Sequence, residues 1–281
     1  MQLSFSTNAF TRHPLTEAVT AIAAIGYQGV EILADKPHLF ASEAGPDFIG
    51  QLRELLTKSQ LAVANINANT VCGYYNRPFW EPLFEPSLAN PDPEARRWRL
   101  QYTKDSIDIA RALGANVVSV TSGRMIPGLL PLESLAILRD SMAEVLAHAE
   151  QAGVRVGIEY EPGLLIENCG ELITFLETMD SPWLGANLDL GHGHVAGEDL
   201  PTVIATLGEK IFHVHLEDIR AGKHFHLIPG EGTLEFEPIL SALASQSYGG
   251  YVTVELYSYP HRAEEAARQA WHYLMQFPHW Q

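Results

Sequence analysis

Eight short strand-like runs, each followed by a helical pattern, predict one closed (β/α)8 barrel, an α/β fold spanning residues 1–281 as a single domain. The runs fall at 3–8, 28–33, 61–67, 116–121, 154–160, 184–190, 211–217 and 250–256. No linker rich in Pro, Gly or Ser divides them. No G-x-G-x-x-G follows the first run, which argues against a doubly wound open sheet. The intervening segments read as helices: "PLTEAVTAIAAIGY", "EARRWRLQYTKDSIDIARALGA" and "SLAILRDSMAEVLAHAEQAG", the last two stopping at glycine near the expected C-cap.

Composition narrows the function classes. A hydrophobic content of 46% over 281 residues can bury a sizeable core. Eighteen basic against 34 acidic residues give a formal charge of −16, which repels a phosphate backbone, so nucleic acid is excluded as a partner. The start "MQLSFSTNAF" carries no charged and apolar leader pattern, and no apolar run approaches the span of a bilayer, so the expectation is a cytoplasmic protein without membrane contact. Cys72 and Cys169 lie far apart and read as reduced thiols.

In a barrel the side of each strand facing the helices is apolar, and the lumen side carries chemistry toward the C-terminal mouth. In "VRVGIEYE", Val154, Val156, Ile158 and Tyr160 alternate with Arg155, Gly157, Glu159 and Glu161. In "LGANLDL", Leu184, Ala186, Leu188 and Leu190 alternate with Gly185, Asn187 and Asp189. The run "IFHVHLE" points His213, His215 and Glu217 inward, and "YVTVELY" points Thr253 and Glu255 inward. Carboxylates gathered in a closed lumen must be protonated or neutralised, and a divalent cation is the simplest neutraliser.

Taken in order, "IEYEPG", "LDLGH", "HVHLED", "PGEG" and "VEL" resemble the xylose isomerase-like TIM-barrel superfamily, which includes ketose 3-epimerases, sugar phosphate isomerases, inosose and dehydroshikimate dehydratases, and endonuclease IV. The resemblance covers essentially the whole chain. It implies one divalent metal, Mn²⁺, Mg²⁺, Co²⁺ or Zn²⁺, on Glu159, Asp189, His215 and Glu255, with no organic cofactor. Glu161 is the alternative to Glu159; the family's Glu-x-x-Pro spelling favours Glu159. The resemblance also implies that His192 holds a substrate hydroxyl, with Gly191 giving a sharp turn before it. His226 stands where ketose 3-epimerases place an arginine, and Glu161 and Asn67 are further substrate contacts. His213 reads as a barrel-core histidine, Glu31 and Asn69 as substrate contacts or caps, and Glu217 and Asp218 as groups orienting His215 or as loop acids. Endonuclease IV relatives need an Asp where this chain has His224, and histidines where it has Asn67, Asn69, Thr121 and Ser122, so their additional metals lack ligands here.

The connection at about 70–93, "TVCGYYNRPFWEPLFEPSLANPDP", is long and aromatic. It reads as a lid that brings Trp80 over substrate, or as a patch against a second copy in a homo-oligomer. "TSGRMIPG" offers Ser122, Gly123 and Arg124 as an anion nest. The expected reaction is a metal-dependent sugar or sugar phosphate isomerisation or epimerisation through an enediolate, with Glu159 and Glu255 as opposed bases. Keto-polyol dehydration is the alternative chemistry. A hydrolase of the endonuclease IV type and a non-catalytic metabolite-binding barrel are the remaining ones.

Overall fold

The computed structural model describes residues 1–77 and 83–281. Eight parallel strands close into a barrel, formed by β1 (Gln2–Ser6), β2 (Gly29–Leu33), β3 (Ala62–Asn67), β4 (Val117–Thr121), β5 (Arg155–Glu159), β6 (Leu184–Asp189), β7 (Ile211–Leu216) and β10 (Tyr251–Val254). Going round the barrel the order is β1-β10-β7-β6-β5-β4-β3-β2. A separate antiparallel pair, β8 (Asp218–Arg220) and β9 (Lys223–Leu227), rises from the mouth after β7. The eight runs read from the sequence include no strand here. It is a hairpin because Ala221 and Gly222 both take positive φ, 58° and 63°, the conformation that a two-residue turn between antiparallel strands demands.

Packed outside the barrel are α1 (Leu15–Ile25), α2 (Pro46–Lys58), α3 (Pro93–Leu113), α4 (Pro131–Ala152), α5 (Cys169–Met179), α7 (Leu200–Leu207), α8 (Phe236–Ser245) and α9 (Ala263–Leu274). α3 begins where Asp92 accepts the main-chain N–H groups of Glu94 and Ala95, with Pro93 in the first turn. It ends at Gly114, and α4 ends at Gly153, both left-handed, as the sequence placed them. The outward strand residues Phe5, Val30, Ile32, Val118, Val156, Ile158, Leu188, Val214 and Val254 are fully buried against these helices. That burial separates an apolar outer layer from the lumen, at about 25 cal/mol per Å² removed from water. Among the described residues no helix is long and apolar enough to cross a membrane.

The strand ends fall a residue or two inside several of the expected runs. The first is the instructive case: after Ser6 the chain turns into a 3-10 helix, Thr7–Phe10, which puts Asn8 over the mouth. The described parts of the 70–93 segment are tied down. Asp35 accepts from Thr70 Oγ1 at 2.8 Å and from the N–H groups of Cys72 and Gly73 at 2.6 and 2.7 Å, while the buried Arg99 donates to the carbonyls of Ala68 and Asn69. Trp80 lies outside the described residues.

Candidate functional site

Glu159, Asp189 and Glu255 stand at the C-terminal ends of β5, β6 and β10, and His215 lies on β7 beside Asp189 in register. All four are buried, and each offers a ligand atom within 4.8 Å of the others. Period two on four strands delivers them to one point, because a parallel barrel aligns the inward residues of successive strands at one level. Glu161 lies one pleat further out on the loop after β5. It lines the cavity but is not part of that cluster.

Each member is held by named partners. Glu159 Oε2 accepts from the amides of Asn69 and Asn187, both at 2.6 Å, leaving Oε1 toward His192. Glu255 Oε1 accepts from Asn8 at 2.9 Å and Asn67 at 3.2 Å. Asp189 Oδ1 accepts the N–H of His192 at 2.7 Å, whereas Oδ2 receives no N–H or hydroxyl hydrogen bond. His215 Nε2 donates to Glu31 Oε2 at 2.6 Å, so Nδ1 faces the three carboxylates. A carboxylate behind the far nitrogen fixes the tautomer and orientation that a metal-ligating imidazole needs.

The electrostatics mark the point where these groups meet as short of positive charge. Burial raises Glu255 well above the usual carboxylate range, and the charges of Glu159, Glu31 and Asp189 add to that against the pull of His215. Burial alone would also raise Asp189, but His192, His224, His226 and His215 outweigh it and lower it. In Glu31 the burial effect is overcome by His215 and His213, and its carboxyl lies well below the usual range. His215 is driven up, against its burial, by Glu31, Glu255 and Glu159. Asp189 Oδ2, which takes no N–H or hydroxyl hydrogen bond, the Nδ1 edge of His215, which faces three carboxylates beside the Asn187 amide at 3.3 Å, and two mutually repelling glutamates fit a divalent cation.

A cavity of about 210 Å³ opens beside this cluster, lined among the described residues by Asn67, Glu161, His192 and His226 as well as Glu159 and Glu255. Asn67 commits its amide to Glu31 and Glu255, so it also holds a member of the cluster. His192 donates Nδ1–H to the carbonyl of Tyr160 at 2.9 Å, and His226 donates Nδ1–H to the carbonyl of Glu255 at 2.8 Å. His226 does so from a positive φ of 48°, an unfavoured conformation for a residue with a side chain, of the kind found at functional sites. The His224 ring packs between those of His192 and His226, tilted to both by 57° and 60°, with centroids 4.3 and 4.1 Å away.

Several roles differ from the sequence reading. Glu31 is the partner of His215 and not a group in the cavity, whereas His213, one pleat deeper and bonded to Thr253 at 2.8 Å, is the core histidine that was expected. Glu217 does not orient His215. It is buried under Gly191, where a Cβ would come within 1.7 Å of its Oε1, and burial together with Asp189 holds it well above the usual carboxylate range. Gly191 is therefore glycine for that close approach and not for a turn, since it lies inside the short helix α6 (Leu190–Val195). Asp218 builds the hairpin loop, accepting main-chain N–H groups from Ile219, Gly230, Gly232 and Leu234. The expected anion nest already holds a carboxylate of the protein: Glu85 accepts the N–H of Arg124 at 3.1 Å. The Asn187 amide went unassigned in the sequence, although its place two residues before Asp189 was the signal for it.

A family model described as xylose isomerase-like TIM barrel matches residues 19–276. Fructoselysine 3-epimerase of Shigella flexneri is 26% identical over 278 residues, covering 96% of this chain and 95% of that protein. Inosose dehydratase of Clostridium perfringens is 26% identical over 177 residues, covering 53% of this chain and 60% of its own. Among solved structures, that of the IOLI protein with a binding zinc atom superposes with a TM-score of 0.80 at 20% identity, covering 98% of this chain and 97% of that one. These curated relatives are enzymes, and the structural likeness shows the fold.

Proposed function

The chain belongs to the xylose isomerase-like TIM-barrel family, and from that premise we propose that it is a divalent-metal-dependent isomerase or epimerase of a sugar or sugar phosphate. The observation that supports this most is the placement of Glu159 and Glu255 at strand ends three positions apart round the eight-strand ring, flanking one cavity. Glu159, Asp189, His215 and Glu255 would hold the ion, which when bound polarises a substrate carbonyl and offsets the negative charge that develops as a neighbouring C–H proton leaves.

The protein groups divide the remaining work. One glutamate takes the proton from the carbon next to the carbonyl, and the other returns a proton to the opposite face, which inverts that carbon. Return to the adjacent carbon on the same face gives an aldose-ketose isomerisation from the same machinery. The asparagine amides on Oε2 of Glu159 and Oε1 of Glu255 pin each carboxylate, leaving its other oxygen free to move a proton. Glu161, His192 and His226 face the substrate hydroxyls, Asn67 holds Glu255 beside them, and Thr70 and Phe84 of the 70–93 segment line the same cavity. The test is turnover in D₂O with Mn²⁺ over ketoses, ketose phosphates and cyclic keto-polyols, followed by proton NMR. Deuterium on the carbon next to the carbonyl supports the reading. Irreversible loss of water with a growing enone absorbance makes the protein a dehydratase, and hydrolysis without carbon-bound deuterium overturns proton transfer altogether.

A further inference from the structure

The lumen cavity has two unlike ends. At the strand ends Glu159 and Glu255 line it, and the amides of Asn69 and Asn8 donate to those carboxylates, which turns both amide oxygens away from their partners. Asn8 and Asn69 are buried and also line the cavity, and neither Oδ1 has a hydrogen-bond partner among the described residues. The protein therefore furnishes this end with acceptors, which suit hydroxyl hydrogens. Arg124, on the loop beyond β4, lines the same cavity at its exposed rim and is the only lysine or arginine among the described lining residues. Its main chain is clamped. The N–H of Arg124 donates to Glu85 Oε1 at 3.1 Å, and the carbonyl of Gly123 accepts from Leu165 at 2.9 Å. Gly123 takes a φ of 80° so close to Ser87 that a Cβ would lie 2.1 Å from its Oγ. Glu85 spends Oε2 on the N–H of Ser87 and the amide of Asn90, both at 2.8 Å. That carboxylate thus holds the main chain of Arg124 and not its guanidinium, which makes no ion pair or hydrogen bond among the described residues. The guanidinium lies 5.9 Å from the centre of the Phe84 ring, itself part of the cavity wall.

We propose that Arg124 binds a terminal oxyanion, phosphate or carboxylate, at the end of the substrate remote from its carbonyl, so that the barrel takes anionic sugars in preference to neutral ones. The inference rests on the proposed function in placing the carbonyl at Glu159 and Glu255. A guanidinium presents parallel N–H groups to two oxygens of one anion, and a clamped main chain leaves only the side chain to be ordered when it does so. On a chain with a net charge of −16, a cation at the cavity rim is what draws an anion there and turns that end outward. A neutral sugar would leave the guanidinium unpaired, and an anion entering the other way round would meet Glu159, Glu161 and Glu255. The nest expected of residues 122–124 is thus divided: Glu85 takes the main-chain N–H of Arg124, and the side chain remains for substrate.

The test is calorimetry on the full chain loaded with Mn²⁺, using three probes that lack a carbonyl and cannot turn over: D-glucitol, D-glucitol phosphate and D-gluconate. Wild type should bind at least one of the two anions about 10- to 100-fold more tightly than glucitol, and the tighter of them names the oxyanion. Arg124→Gln should bring both anions down to the level of glucitol, and Arg124→Lys should keep only part of the advantage, which added salt should shrink further. Equal affinities in wild type, binding of none of the probes, or an anion advantage that survives in Arg124→Gln, as it would for an anion held by the metal, overturns the proposal. Turnover in D₂O of a ketose and its phosphate ester separates this inference from the reading beneath it. A KM for the ester that Arg124→Gln raises by more than it lowers kcat supports the assignment. Equal kcat/KM for ketose and ester in wild type overturns it and leaves proton transfer standing. Arg124-dependent binding without any carbon-bound deuterium overturns proton transfer and leaves the anion site standing.

Discussion

Two layers of the lumen are equally buried and equally polar, yet they are built differently. In the deeper layer Glu31 accepts from His215, Asn65 and Asn67, His213 bonds to Thr253, and Asn65 also donates to Ser119. At the mouth Asp189 Oδ2, both oxygens of Glu217 and Nε2 of His224 and His226 have no N–H or hydroxyl partner among the described residues, with His224 Nε2 3.6 Å from Glu217. Amide oxygens lack donors in both layers, at Asn65 below and at Asn8, Asn69 and Asn187 above, because these amides spend their N–H groups on carboxylates and hydroxyls. The contrast therefore lies in the carboxylates and imidazoles. A buried charged or ring atom without a partner costs about 1–3 kcal/mol, so it persists where something else satisfies it. The deeper layer positions; the mouth binds.

The largest break in that contrast comes from the mouth. Glu159→Gln and Glu255→Gln keep the size of the side chain and one acceptor oxygen but remove a base, and each should lower turnover by about 10²- to 10⁴-fold without lowering the unfolding midpoint. Steady-state kinetics beside thermal unfolding checks both halves. Loss of stability in step with loss of turnover would place these glutamates with the deeper layer.

Glu31→Gln probes the seam between the layers. It leaves the cavity untouched and weakens the hold on His215, so calorimetry should find metal affinity about 10- to 100-fold lower, with turnover recovered at saturating metal. Recovery separates a positioning role from a catalytic one.

Asn65→Ala should show the opposite pattern from the glutamates. It strips one hydrogen bond each from Glu31 and Ser119, costs about 1–3 kcal/mol in urea unfolding, and leaves KM nearly unchanged.

The smallest effect comes from a finished network away from the lumen. His38 is buried between the hydroxyl of Thr7 and the carbonyls of Phe10 and His13, and its burial, only partly offset by those carbonyls, lowers it to about 4. The folded state thus holds His38 neutral while the unfolded chain takes a proton below the ordinary histidine value. Its contribution is full above that value and declines as pH falls toward 4. From pH 7 to 5.5 the loss should be about 1 kcal/mol, and it should vanish in His38→Gln.

How much of this could be read from the sequence follows from distance along the chain. Period two and strand order put Asp189, Glu159, His215 and Glu255 on the lumen side, whereas choosing Glu159 over Glu161 and reading the four as a ligand set took the family resemblance. Glu31 was not, because its partner His215 is 184 residues away across the lumen. Glu217 and Asp218 stayed undecided between orienting His215 and serving as loop acids because β7 ends at Leu216, and the chain then leaves the barrel for a hairpin whose turn, Ala221-Gly222, carries only one glycine as a signal. His224 and His226 alternate with Phe225 on that hairpin, a period-two pattern that goes unnoticed when the stretch is read as loop.

The most direct measurement of the central claim is anomalous diffraction at the manganese absorption edge from crystals grown with Mn²⁺. A peak about 2.0–2.3 Å from Glu159, Asp189 Oδ2, His215 Nδ1 and Glu255 is the expected result. A map with no peak there, or with manganese only at surface carboxylates, would contradict the reading of the mouth as a metal centre.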